Sequence, residues 1–331
     1  MKEEQWNPGK LLELSGYYWK TCALHAAVKL DVFSALNPAA LSAAEVAERC
    51  KCSGEGMLRL LNALAAMGLL VKDGERYTNT PSASAFLSRH SERYIGFMIM
   101  HHHQLVPSWY NLDQAVKSGQ PIRQGASQSD EEWRASFLMG MFNLAMNLAP
   151  RVVPLIDLHG RSHLLDLGGG PGTYAVHFCQ ANPDLKATVF DLPTTRPFAE
   201  KIFARFNMAE RIAFKAGDFN DDDIGQGYDV AWLSHILHGE SPQDSQRLVG
   251  KTAKALKPGG MIVIHEFILD NDMAGPLFPA LFSLNMLLGT AAGQSYSETQ
   301  LAEMLSKAGA GAIRRITFDS PNDSSLIVGT V

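Results

Sequence analysis

A chain of 331 residues, 46% hydrophobic and 19% charged, is long enough for two domains and has the composition of a globular protein with a substantial core. A formal net charge of −5 offers nothing to a phosphate backbone or an anionic surface, which argues against nucleic-acid and membrane partners. Cys22, Cys50, Cys52 and Cys179 have neither disulfide-framework nor zinc-knuckle spacing, and neither a signal-like apolar core nor an apolar run of ~18 residues is present, so a soluble cytoplasmic protein with reduced thiols and no metal is expected.

Residues 10–36 alternate apolar and polar at helical spacing, with Leu11, Leu14, Tyr18, Cys22 and His25 able to share a face. Ser42-Ala-Ala-Glu45 is a capping box that starts a second helix. Ser53 caps a third, whose apolar stripe is Met57, Leu58, Leu61, Leu64 and Ala65 and which Gly68 ends. Leu69-Leu-Val71 and Arg76-Tyr-Thr78 flank an Asp-Gly turn and read as a hairpin. Three helices and a hairpin make a winged-helix pattern, and DNA-binding regulators use it. Between Ser42 and Thr80, however, Arg49, Lys51, Arg59, Lys72 and Arg76 are matched by Glu45, Glu48, Glu55, Asp73 and Glu75, so no basic face emerges. The apolar stripes instead exceed what a small module can bury alone, and a homodimer through this region is the expectation.

From Glu92 to Asp157 the chain reads as helices interrupted by a polar loop, Lys117 to Asp130, with breaks expected near Pro150 and Pro154. His101-His-His103 falls on a helix, where consecutive side chains point in different directions; pocket lining or a solvated face fits better than a metal site, and His103 is the candidate for the acceptor pocket.

The second half carries the chemistry. A short apolar run ends at Asp166-Leu-Gly168, and Gly168, Gly170 and Gly172 then permit a sharp turn that lets backbone approach a ligand before a helix opens at Gly172. By itself that turn also fits a dinucleotide enzyme. The strands that follow restrict it. Lys186–Phe190 runs into Asp191-Leu192-Pro193, which places a carboxylate suited to a ribose diol at a strand end. Ile212–Phe214 leads to Gly217-Asp218-Phe219, an acid and a ring suited to an adenine. Tyr228–Leu233 ends at Ser234-His235-Ile236-Leu237-His238, and a helix from Gln243 stops at Lys257-Pro258-Gly259-Gly260 before a fifth strand, Met261–Ile264. An apolar helix over 276–288, another from Ser297 to Gly309, and two strands, Arg314–Phe318 and Ser325–Val328, close the chain as an antiparallel pair.

This order of motifs resembles the class I S-adenosylmethionine-dependent methyltransferases. Within them, Phe190-Asp-Leu-Pro193, Gly217-Asp-Phe219, His235-Ile-Leu-His238 and Leu284-Asn-Met-Leu287 are similar to the small-molecule O-methyltransferases with an N-terminal dimerisation domain, a group that includes plant phenolic, acetylserotonin and bacterial natural-product enzymes. The resemblance implies an α/β fold: a Rossmann-like sheet closed by an antiparallel hairpin, preceded by a helical, winged-helix dimerisation domain. The corresponding boundaries are 1–100 for dimerisation, 101–157 for a helical pocket segment and 158–331 for catalysis.

Several roles follow from the same resemblance. S-adenosylmethionine would be bound by Asp166, Gly168, Gly170, Asp191, Leu192, Asp218, Phe219, Ser234 and His235. His238 would be the general base for a hydroxyl of a small aromatic or polyketide-like acceptor, held by Glu266, while Asn285 would contact that acceptor. Such a base is needed because a phenol is mostly protonated at neutral pH and a neutral imidazole can take the proton. Met141 would lie near the methionine end of the cofactor, and it reads equally well as core. Two departures stand out. Gly239-Glu240 replaces the usual Asp-Trp after the histidine, which keeps carbon methylation or a non-methylating reaction open, and Gly293-Gln-Ser-Tyr296 lacks a second supporting acid.

Overall fold

The computed structural model describes residues 6–123 and 131–331, and the chain divides between Leu105 and Val106 into two compact units. The N-terminal unit holds α1 (Pro8–Gly16), α2 (Tyr18–Lys29), α3 (Val32–Ala35), β1 (Leu41–Ser42), α4 (Ala43–Arg49), α5 (Gly54–Ala66), β2 (Leu70–Asp73), β3 (Arg76–Asn79) and α6 (Pro81–Leu87). Both expected caps are present. Ser42 and Glu45 form the reciprocal box on α4, and the Ser53 hydroxyl accepts from Gly56 N on α5. Met57, Leu61 and Leu64 of α5 are buried with Phe33, Val46 and Tyr77, but Leu58 points outward, so the stripe is narrower than the sequence suggests. The hairpin turn is centred on Gly74-Glu75, one residue later than expected, because Asp73 still pairs with Arg76. β1 adds to β3, and the resulting order β1-β3-β2 is the small sheet of a winged helix. Of the first helical face, only His25 is buried; Leu11, Leu14, Tyr18 and Cys22 are exposed.

The division falls within α7 (Gly96–Tyr110), after which come α8 (Leu112–Ser118) and α9 (Glu131–Val152). Part of the polar loop, residues 124–130, lies outside the described residues. Pro150 does not break α9, which runs two residues further before a 3-10 turn at Val153–Leu155. The larger unit continues with β4 (His163–Leu167), α10 (Thr173–Ala181), β5 (Lys186–Asp191), α11 (Arg196–Arg205), β6 (Ile212–Ala216), β7 (Tyr228–Ser234), α12 (Pro242–Ala255), β8 (Leu256–Phe267), α13 (Leu277–Gly289), α14 (Glu298–Lys307), β9 (Gly311–Thr317) and β10 (Ser324–Thr330). Pro258-Gly-Gly260 does not delay the fifth strand as expected: β8 starts at Leu256, opposite Tyr228, and a register shift absorbs the glycines.

The sheet order is β6-β5-β4-β7-β8-β10-β9, parallel up to β8 and antiparallel at β10 and β9. Side chains alternate along each strand, so the sheet separates two cores. Leu164, Val189, Trp232 and Val263 face one side with α9, α10 and α11; Leu165, Phe190, Leu233 and Ile264 face the other with α12 and α14. Burial on both faces explains the uninterrupted apolar runs. β4 leads to β5 on one side while β7 lies on its other, so the strand order reverses at β4, where open parallel sheets form a ligand crevice outside the carboxyl ends.

Candidate active site

At that crevice the backbone turns after β4 through three left-handed glycines, Gly168, Gly170 and Gly172, with φ of 62°, 55° and 73°. A Cβ at Gly168 would stand 2.6 Å from Ile236 Cγ2 and 3.4 Å from the Phe219 ring, whereas one at Gly170 would meet nothing within 4 Å. The turn is therefore packed from below and open above. Asp166 lies beneath it, 1% exposed, and accepts from Ala175 N at 3.3 Å. Burial, with Asp191 nearby, pushes its carboxyl up to about 7 despite that bond.

Asp191 ends β5, where Oδ2 accepts from Gly170 N at 2.8 Å and Oδ1 accepts from Leu192 N and Thr195 Oγ1, both at 2.8 Å. Burial raises its pKa against these three bonds. A carboxylate has about four lone-pair sites, so one stays open to a diol. Asp218, beyond β6, accepts from Asn220 N at 2.9 Å through Oδ1, and Oδ2 has no partner among the described residues. Phe219 sits beside Gly168.

Ser234 and His235 follow β7. Ser234 Oγ lies 2.9 Å from His265 Nδ1, and His265, fully buried, reaches Ser324 Oγ at 3.2 Å with its other nitrogen. His235 has φ of 57°, a left-handed conformation that a non-glycine residue holds only where its surroundings fix it; its ring lies between Phe267 and His265, with centroids at 4.2 and 4.3 Å.

One 3-10 turn later, His238 Nδ1 is 2.8 Å from Glu266 Oε2, and His238 N donates to Glu266 Oε1 at 3.3 Å. Glu266 is 1% exposed at the end of β8. Burial alone would raise its pKa, but the His238 and His235 imidazoles outweigh it and hold the carboxyl well below the usual carboxylate range. An ionised Glu266 can only accept, so the proton of a neutral His238 is assigned to Nδ1, and Nε2 keeps a free lone pair. His235 Nδ1 is 3.5 Å from the same Oε2, and the three donor atoms lie within 4.8 Å of one another. The 2.8 Å contact has the length of a charge-assisted hydrogen bond.

Phe282 meets the His238 ring edge-to-face at 4.7 Å, and Phe267 packs against both Phe278 and Phe282. Asn285, one turn beyond Phe282 on α13, is 9% exposed and accepts from Trp109 Nε1 at 3.3 Å and Arg123 Nη2 at 2.8 Å. Sequence reading missed Arg123, Trp109, Phe278, Phe282 and His265. Phe278 and Phe282, four residues apart on an apolar helix, were the one available signal.

The surroundings of the other two expected residues are these. Met141 is half-buried on α9 and outside the core cluster, which takes Met139 and Met146. His103 belongs to the N-terminal unit, where its ring lies against His25 at 5.5 Å and its Nε2 is 3.4 Å from Lys29 Nζ. The lack of an acid before α14 has a steric counterpart, because a Cβ at Gly293 would stand 2.4 Å from the His238 carbonyl.

Residues 12–89 match the O-methyltransferase dimerisation domain and residues 109–310 the O-methyltransferase domain. Among similar proteins, the 3-hydroxy-5-methyl-1-naphthoate 3-O-methyltransferase of Streptomyces sahachiroi is 32% identical over 97% of this chain and 95% of its own. The tetracenomycin polyketide synthesis 8-O-methyl transferase of Streptomyces glaucescens is 31% identical over 96% of each. Human N-acetylserotonin methyltransferase, solved in complex with S-adenosylmethionine, superimposes with a TM-score of 0.89 at 28% identity over 100% of this chain and 99% of that one.

Proposed function

The chain belongs to the S-adenosylmethionine-dependent O-methyltransferases that carry a dimerisation domain, and we propose that it methylates a hydroxyl of a small aromatic, polyketide-type acceptor with His238 as general base. The observation that carries this reading is the 2.8 Å contact between His238 Nδ1 and the ionised, buried Glu266. The hydroxynaphthoate and tetracenomycin enzymes support a fused aromatic acceptor, as does the cluster of Phe267, Phe278 and Phe282 around the His238 ring.

The open face of Gly170 and the spare acceptor sites of Asp191 and Asp218 fit the cofactor's ribose and adenine. Gly168, Leu192, Phe219, Ser234 and His235 would line the same site, and Asp166 would support the turn from beneath. The cofactor supplies an electrophilic methyl group on a sulfonium. Glu266 fixes the His238 ring and keeps the proton on Nδ1. Nε2 then takes the hydroxyl proton as the acceptor oxygen attacks, and Glu266 stabilises the resulting imidazolium. Phe267 and Phe282 exclude water from one side of that ring.

A homodimer formed through α1 and α2 belongs to the same proposal, since α1 has no buried residue of its own. The test is single-turnover methyl transfer to a panel of phenols with labelled cofactor, the product position read by NMR. His238→Ala should slow O-methylation by about 10²–10⁴-fold while S-adenosylhomocysteine affinity stays within a few-fold. Transfer at the parent rate, or a methyl group found on carbon, would overturn the mechanism.

A further inference from the structure

Arg123 follows α8 and brings its guanidinium to α13. Its Nη1 donates to Ser108 Oγ at 2.9 Å, and Nη2 donates to Asn285 Oδ1 at 2.8 Å and Asn285 O at 3.1 Å. The segment is tied to the end of α13: Ile122 N and Arg123 N both donate to Leu288 O, at 3.0 and 3.1 Å, and the guanidinium lies against Gly289, where an added Cβ would stand 2.8 Å from Nη2 and the arginine would have to shift.

The charge itself has no partner among the described residues. Among the described residues no carboxylate lies within the 4.0 Å of an ion pair, although burial pushes the guanidinium down to about 10, still charged at neutral pH. A partly buried cation without a counter-ion is costly, and a protein that needed only to tie α8 to α13 could do so with a neutral amide. Asn285 adds a second clue. Arginine can only donate, so the amide oxygen must face Arg123, and Nδ2 turns the other way with no acceptor among the described residues. A positive charge and a free amide donor stand side by side, with nothing negative among the described residues to receive them.

Phe282 and Asn285 are three residues apart on α13 and share a face, and Phe282 touches the His238 ring. Asn285 therefore lies about one helical turn, roughly 5 Å, along α13 from the phenylalanine that touches the His238 ring. We propose that Arg123 and Asn285 form a subsite for a carboxylate on the methyl acceptor, carried on the same rigid ring system as the reacting hydroxyl; this rests on the O-methyltransferase reading above. Arg123 and Asn285 are specificity-determining here, and the proton transfer stays with His238.

Equilibrium binding tests this separately from turnover. The probes are 3-hydroxy-2-naphthoate and its neutral amide, 3-hydroxy-2-naphthamide, titrated calorimetrically into the full-length protein saturated with S-adenosylhomocysteine. A charge-assisted contact predicts that the acid binds about 10- to 100-fold more tightly than the amide. In Arg123→Gln, which keeps a donor for Asn285, the ratio should fall to near one with amide affinity shifting less than about threefold. Arg123→Lys should retain part of the preference, which separates lost charge from lost folding. Equal affinity of the parent protein for acid and amide, no binding of the acid, or an acid preference that survives Arg123→Gln would each overturn the assignment. Failure of every phenol to accept a methyl group would instead defeat the catalytic reading and leave this binding result standing.

Discussion

Asp166 and Glu266 are both sealed from water, yet their surroundings drive them in opposite directions. Two imidazoles face Glu266, so burial is outweighed and the carboxylate persists. Burial dominates at Asp166, where a single backbone N–H and the charge of Asp191 are the neighbours, and the carboxyl rises to about 7. The folded protein then holds a proton that the unfolded chain releases near pH 4, so stability falls as pH climbs from about 4 to about 7. Asp166→Asn keeps the shape and removes that slope. Urea unfolding at pH 5 and pH 7 should show the variant gaining on the order of 2 kcal/mol relative to the parent across that interval; parallel profiles would refute the assignment. Glu266→Gln can still accept the Nδ1 proton but not balance the imidazolium, so single-turnover methyl transfer should slow by less than in His238→Ala. An equal or greater loss would mean that Glu266 does more than position and stabilise the ring. Asp166, Asp191, Asp218, His238 and Glu266 were legible as candidates because each sits at or just beyond a strand end within a local motif. Arg123 was not, because its partner Asn285 is 162 positions away and only folding brings them together.

At the scale of elements, the sequence located most helices and strands through caps and alternating apolar positions, and its errors came where tertiary pairing overrode a local signal. Pro258-Gly-Gly260 signals a stop, yet pairing with β7 carries β8 through it. Asp73-Gly74 signals a turn, yet Asp73 stays in register with Arg76. Pro150 suggests a break, but α9 continues through it. The segment between α13 and α14 shows the reverse case, a contact with no sequence signal. Gly293 N donates to Thr290 Oγ1 at 2.9 Å, and its Cα passes so close to the His238 carbonyl that a methyl group would fall 2.4 Å away. Backbone cannot yield as a flexible side chain can. Gly293→Ala should therefore displace the turn that carries His238, lowering the methyl-transfer rate while S-adenosylhomocysteine affinity and the thermal midpoint change little. A variant with the parent rate would show that the segment adjusts without disturbing His238.

Across the whole molecule, the first two helices stand out for the large apolar side chains they expose. A nine-residue helix is marginal in water without tertiary packing, and α1 buries none of its residues. Leu12 is 74% exposed and Trp19 69%, with Leu11, Leu14, Tyr17 and Tyr18 also open to solvent, an apolar concentration that marks an interaction surface. The match of residues 12–89 to an O-methyltransferase dimerisation domain supports the proposed occupant, a second copy of this chain. In a two-fold interface each side chain counts twice, and burying a large apolar side chain is worth about 1.5–3 kcal/mol, so Leu12 and Trp19 together would supply a large share of the association energy. Replacing both by glutamate leaves the protomer core untouched, since neither side chain is part of it. Sedimentation velocity at low micromolar concentration should find a dimer for the parent and a monomer for Leu12→Glu/Trp19→Glu, with the far-ultraviolet spectrum little changed. A parent monomer, or a variant that remains dimeric, would move the interface away from α1 and α2.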